Sequence, residues 1–472
     1  MSTTGNSCGM AGKREPACYT ARELAKELPG HVPDEYNTAK HLVYSSPATL
    51  AFNSPGAEGF GVKRAGLSIP GSVMLIVSPG CCGRNTSEIT KLKGYEERFF
   101  YLLMDETDLV TGRHLKKIPQ AVKEIVEFLP EKPSVVMICI TCVDALLGTD
   151  MERVARKAQE EAQVPVRPCY MYALTREGRR PPMVHVRQSL YSMVPKRKKK
   201  GTSVNFLGFF APLMDDFELY GMLRGIGVKK IREISRCKDI EEFYDMGEAN
   251  FNLVLNSEAA PAADDLSKRL GIPYILLQRF YDVESVKRQY AALGKVLGSS
   301  LESRGGEEAA LRAVQAVKEK APGLSFSIGE SMNGNPFEMA LALAKYGFRV
   351  DEVYGNPDPS STNWIRRLAA ISPDTRIYSN MEPTMLYYDS SEKKSDFVIG
   401  KDAAFYQPDA LSLPWNEDVQ PYGYAGITKL FRRILEKLEE SGAERGQPYS
   451  AAAIRQEEGP GGTPAEGKGG RP

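Results

Sequence analysis

Histidine is scarce in this chain, with four in 472 residues (His31, His41, His114 and His185) and none beyond residue 185. The C-terminal half therefore offers no imidazole to a metal or a proton-transfer site. An excess of charge of one sign is missing as well. Lys plus Arg number 61 against 60 for Asp plus Glu, net +1, so nothing electrostatic points to nucleic acid or an acidic surface as the main partner. No stretch approaches the roughly 18 consecutive apolar residues of a membrane span. The opening MSTTGNSCGMAGKREPACYT has no apolar core of an export signal, so a cytoplasmic protein with no membrane partner is expected. In such a protein the eight cysteines read as buried thiols, catalytic groups or metal ligands rather than disulfides.

What is present is a regular beat. SVMLIVS (72–78) precedes a polar, helix-like stretch to about 104, SVVMICI (134–140) precedes MERVARKAQEEA, and VNFLGFF (204–210) precedes DDFELYGMLRGIG. FNLVLN, PYILL, LSFSIG, FRVDEVYG and TRIYSN continue it, each paired with a helical pattern. Short apolar runs without alternation read as parallel strands covered on both faces, so the class is α/β. A length of 472 residues suits about three domains. The breaks at KRKKKGTS (196–203) and LESRGGEEAA (301–310) predict three Rossmann-like domains with parallel sheets at 40–195, 203–300 and 308–442. An extension, 1–39, precedes them. The Gly-, Pro- and charge-rich tail, 443–472, is expected to be disordered, as are the first 15 or so residues. Lys196 to Lys200 form a basic run, but no aromatic residue interleaves it, so it reads as a solvated linker and not a nucleic-acid patch.

The cysteines cluster. Cys81 and Cys82 follow the 72–78 run in VSPGCCGRNT, and Cys139 and Cys142 straddle the end of the 134–140 run in CITCVDALLGTD. Ligands of open α/β sheets bind beyond the carboxyl ends of strands, where these segments lie. Cys142 sits on a loop and reads as a ligand; Cys139, inside the strand, reads as structural. Thiolates suit iron–sulfur clusters and zinc alike. The contiguous pair fits a single tetrahedral ion poorly, and a redox CxxC at 139–142 would bury its nucleophile. Spacing alone says metal or cluster and does not choose the chemistry.

The segments VSPGC, ERFFYLLMDETDLVTGRHLKKIPQAVKEI and ITCVDALLGTDMERVARKAQEEAQVPV resemble the first domain of the nitrogenase component 1 superfamily. FLGFFAPLMDDFELYGMLRGIGVKKIREIS and ANFNLVLNSEAAPAADDLSKRLGIPYILLQRFYDVES resemble its second domain, and VQPYGYAGITKLFRRIL its closing helix. The resemblance covers about 40–442. It implies an iron–sulfur cluster at a subunit interface, [4Fe-4S] in type, on Cys81 and Cys142, in a homodimer or with a related component 1 subunit. It also implies electrons from an ATP-hydrolysing iron protein.

Two departures matter. The family's third cysteine is missing, with Ser54 or a neighbour in its place, and the extra Cys82 is a candidate substitute. The positions of the cysteine and histidine that hold the iron–molybdenum cofactor carry Asn256 and Leu413, so no iron–molybdenum cofactor and no dinitrogen reduction are expected. The expected function is therefore a nitrogenase-like reductase of an organic, tetrapyrrole-like substrate; the alternative is a non-catalytic scaffold of metallocofactor biosynthesis. Arg84 and Asn85 are candidates to tune the cluster. His185, Glu330, Asn333 and Asn335, with Ser331, are candidate lining of a substrate pocket, the last four on one of three loops expected to share a sheet edge.

Overall fold

A computed structural model describes residues 15–28, 30–37, 42–44, 46–48, 61–80, 89–140, 148–170, 181–199 and 201–442. Fourteen strands form three sheets among them. A short strand β1 (Tyr19–Thr20) comes first. The first sheet holds β2 (Ser72–Ser78), β3 (Phe99–Leu103), β4 (Val135–Ile140) and β5 (Val166–Tyr170), in the order β3-β2-β4-β5. The second holds β6 (Ser203–Leu207), β7 (Lys230–Glu233), β8 (Phe251–Val254) and β9 (Tyr274–Leu276), in the order β7-β6-β8-β9. The third holds β10 (Ser325–Gly329), β11 (Arg349–Tyr354), β12 (Arg376–Tyr378), β13 (Phe397–Ile399) and β14 (Leu411–Leu413), in the order β1-β12-β11-β10-β13-β14. Every pairing is parallel except β1 with β12. The α/β class with parallel sheets is thus as expected.

The central strands β2, β6 and β10 are buried at every residue, which is why their sequences run apolar instead of alternating. Each has its next strand in sequence on one side and a later one on the other. The order reverses at β2/β4, β6/β8 and β10/β13, and at such switch points the loops diverge and leave a crevice. One apolar cluster joins the first sheet (Met74, Cys139) to the second (Leu207, Val254). Another joins the second (Phe206, Leu253) to the third (Phe326, Ile328) and to the helix Gly423–Glu440.

Two stretches differ from the sequence reading. Residues 99–103, expected within a helical pattern, form the edge strand β3: FFYLL is a short apolar run, but the charged residues before and after it mask its strand character in a longer window. The N-terminal extension also joins the third sheet through β1. Tyr36 donates its hydroxyl to the carbonyl of Ile377 at 2.7 Å, and the Tyr44 N–H reaches the Met381 carbonyl at 2.7 Å. The basic run is tied to the second domain, with Arg197 on Glu241 at 2.6 Å. The tail 443–472 and the first 14 residues lie outside the described residues.

Candidate functional site

At the first switch point β2 and β4 are direct neighbours, with Val77 opposite Ile140. Neighbouring strands lie about 4.8 Å apart, so β2 and β4 end side by side. Cys81, Cys82 and Cys142, with Arg84, Asn85 and the Ser54 position, lie outside the described residues. The frame beneath them is described. Cys139 is buried in β4 opposite Cys169 of β5. The hydrogen bond between these thiols, with burial, pushes the Cys169 thiol well above its usual range, so this pair is inert core. Ser78, three residues before Cys81, has its hydroxyl buried without a hydrogen-bond partner among the described residues.

In the other two crevices the chain's own residues pack and hydrogen-bond across the loops. At the second, Gly208 has a φ of +135°, and a Cβ there would come within 2.7 Å of the Asn256 nitrogen, so only glycine lets the loops after β6 and β8 approach. The Asn256 carboxamide oxygen accepts the Glu258 N–H at 3.0 Å and so caps the turn into the helix Ala260–Leu270. Leu413 is buried in β14. The two positions at which the family resemblance places metal ligands are therefore a cap and a core residue.

At the third crevice Asp402, fully buried, accepts the N–H groups of Glu330 (2.8 Å) and Ser331 (3.1 Å) and the Asn380 carboxamide (2.8 Å). A Cβ on Gly329 would overlap it. Asn380 also donates to Glu330 at 2.9 Å. Burial first, with the nearby Asp402 charge, raises the Glu330 pKa to about 6; burial likewise raises that of Asp402. Asn380, at the end of the TRIYSN run and not among the expected site residues, is the bridge between two carboxylates.

The remaining pocket candidates separate. Asn333 donates to the Glu417 carbonyl at 3.0 Å and accepts its N–H at 2.6 Å, which pins two loops together. Asn335 caps the helix Pro336–Lys345 through the N–H groups of Phe337 (3.0 Å) and Glu338 (3.2 Å). His185 lies on the helix Pro182–Tyr191 of the first domain, edge-on to Tyr170 with ring centroids 4.4 Å apart. Of the four, Glu330 alone lies in a switch crevice. Among the described residues no group of three or more His, Cys, Asp or Glu is arranged to hold a metal ion, and no helix is long and apolar enough to cross a membrane.

The family model described as nitrogenase component 1 type oxidoreductase matches residues 58–439. The nitrogenase iron-molybdenum cofactor biosynthesis protein NifE of Rippkaea orientalis is 23% identical over 360 residues, 71% of this chain and 73% of that protein. NifE of Rhizobium meliloti is 26% identical over 353 residues, covering 70% and 72%. The nitrogenase molybdenum-iron protein alpha chain of Methanosarcina barkeri is 42% identical, but over 65 residues, 14% of this chain. The structure of nitrogenase Cp1 at pH 6.5 superposes with a TM-score of 0.64 at 16% identity, covering 80% of this chain and 91% of that one, a likeness of fold. These findings correct the expectation of an enzyme reducing an organic, tetrapyrrole-like substrate: the relatives alike over most of their length are named for cofactor biosynthesis, not for substrate reduction. The chain belongs to the nitrogenase component 1 type oxidoreductase family.

Proposed function

We propose that this chain is a non-catalytic scaffold of nitrogenase-type metallocofactor biosynthesis, holding an iron–sulfur cluster as cargo. The observation that carries this reading is likeness to NifE proteins over 70–71% of this chain and 70–73% of theirs, in a chain whose Asn256 and Leu413 are spent on a cap and a core. A scaffold has to release what it holds, and a site poor in permanent metal ligands suits release. Cys81 and Cys142 are the proposed thiolates, with Cys82 standing in for the thiol absent at Ser54. A second component 1 type chain, a copy of this one or a related subunit, supplies the remaining ligands and makes the site an interface. The cluster brings soft, redox-active iron to that interface; the chain's part is to present thiolates, exclude water and let the group leave.

The test is iron and acid-labile sulfide per chain after oxygen-free reconstitution, for the wild type and for Cys81→Ala, Cys82→Ala and Cys142→Ala. Loss of most of the iron in the Cys81 and Cys142 variants, and partial loss in the Cys82 variant, is expected. Wild-type protein that takes up no iron, alone or with a component 1 type partner, contradicts the proposal.

A further inference from the structure

Three arginines reach from one domain to another. Arg64, from the helix Val62–Gly66, pairs with Asp418 at 2.8 Å. Arg187, from the helix Pro182–Tyr191, pairs with Glu258 at 2.8 Å, lies 4.7 Å over the Phe210 ring, and donates to the Gly208 carbonyl at 2.9 Å. Arg279, just beyond β9, mirrors Arg187 on the neighbouring ring, 4.8 Å over Phe209 and 5.7 Å from the centroid of Tyr422. It differs in one respect. Among the described residues no carboxylate pairs with it: its Nη2 donates to the Gln420 carboxamide at 2.6 Å, and its Nε is enclosed with no partner.

A guanidinium does not escape burial by losing its proton, and an enclosed charge without a counter-ion is costly. Burial pulls the Arg279 pKa down, with nothing nearby but Tyr281 and Tyr422 to oppose it. The side chain is nonetheless held in place, sandwiched by Phe209 and tethered by Gln420, which also takes the Asn333 carboxamide at 3.4 Å. The residue as a whole stays partly exposed, so solvent reaches its edge. Phe209 directly follows Gly208, which packs on Asn256, so Arg279 belongs to the crevice beyond β6 and β8.

We propose that Arg279 is an anion-recognition residue of this crevice, and that it takes a ligand presenting negatively charged oxygen or sulfur acceptors. Two sources share that chemistry: an anionic iron–sulfur cargo, in which case the inference rests on the scaffold reading, or a free oxyanion, in which case it does not. Charge-assisted hydrogen bonds to a fixed guanidinium are strong and geometrically selective, and the aromatic sandwich keeps the fork aligned.

The test uses the full chain, wild type, Arg279→Gln and Arg279→Lys. One arm titrates sulfate and citrate at constant ionic strength by calorimetry and thermal shift. The other measures iron and sulfide retained after reconstitution. In at least one arm, binding by the wild type that weakens about tenfold or more in Arg279→Gln and partly recovers in Arg279→Lys is expected. Oxyanion binding without cluster uptake keeps the inference and sinks the scaffold reading. Cluster uptake that is equal in all three proteins, with no oxyanion binding, overturns the inference and leaves the scaffold reading standing. No binding in either arm overturns both. Should Arg279→Gln fail to fold, the wild-type titrations and the Arg279→Lys comparison decide, with loss of affinity supporting the inference and no binding or unchanged affinity overturning it.

Discussion

Asn256 and Asp402 do equivalent work in different sheets: each fills a switch crevice against a glycine of the central strand's loop and satisfies backbone donors there. Their energetics differ. Asn256→Ala removes a cap and should cost about 1 kcal/mol in chemical unfolding without lowering the iron retained; iron loss would show that Asn256 is a ligand after all. Asp402→Ala strands the Glu330 and Ser331 N–H groups and the Asn380 amide, at about 1–3 kcal/mol for each buried donor, and should destabilise far more than Asp402→Asn. Glu338 gives a pH signature. It is buried, its oxygens both accept the Tyr281 N–H at 3.1 Å, and burial raises its pKa from 4.5 to about 8. The folded state therefore binds this proton more tightly than the unfolded state. The stabilisation is complete below about pH 4.5 and is lost as pH rises through 8. Glu338→Gln should remove that slope, so the wild-type stability minus that of the variant should fall between these pH values; a flat difference would refute the assignment.

At the scale of elements, the central strands were legible because burial on both faces writes itself as an unbroken apolar run, as in SVMLIVS and LSFSIG. Edge strands were not. FFYLL at β3 is short and set between charged stretches, and KIRE at β7 carries three charges in four residues; both are placed by pairing with one neighbour. The two-residue strand β1 could not be seen at all, since its strand character comes from β12, some 350 residues away. The site was legible in the same uneven way. The cysteine segments and the loop after β10 stood out by position, whereas Asn380 and Arg279 did not, because their significance lies in partners brought together by folding. Tyr36 tests the docking of the extension: Tyr36→Phe, which loses the bond to Ile377, should destabilise by about 1 kcal/mol and increase proteolysis between residues 15 and 37. Unchanged protection would mean that the strap is held by packing alone.

Across the whole molecule, three sheets repeat one plan with different contents at the switch point. The proposed cysteine ligands follow strands of the first in sequence, while glycine-backed polar side chains bridge the loops of the second and third. Apolar clusters that run from the first sheet to the second and from the second to the third fix these crevices relative to one another. In the proposed scaffold the cysteine segments receive the cluster and few groups retain it. The most direct measurement loads the oxygen-free chain, with its component 1 type partner, with isotopically labelled iron and sulfide. It then adds a cofactor-free nitrogenase component 1 protein and follows the label. The account predicts that most of the labelled cluster moves to the acceptor, leaving the chain intact and ready to reload. Label that stays on the chain through repeated reduction by an ATP-hydrolysing iron protein, with turnover of an organic substrate, would contradict it.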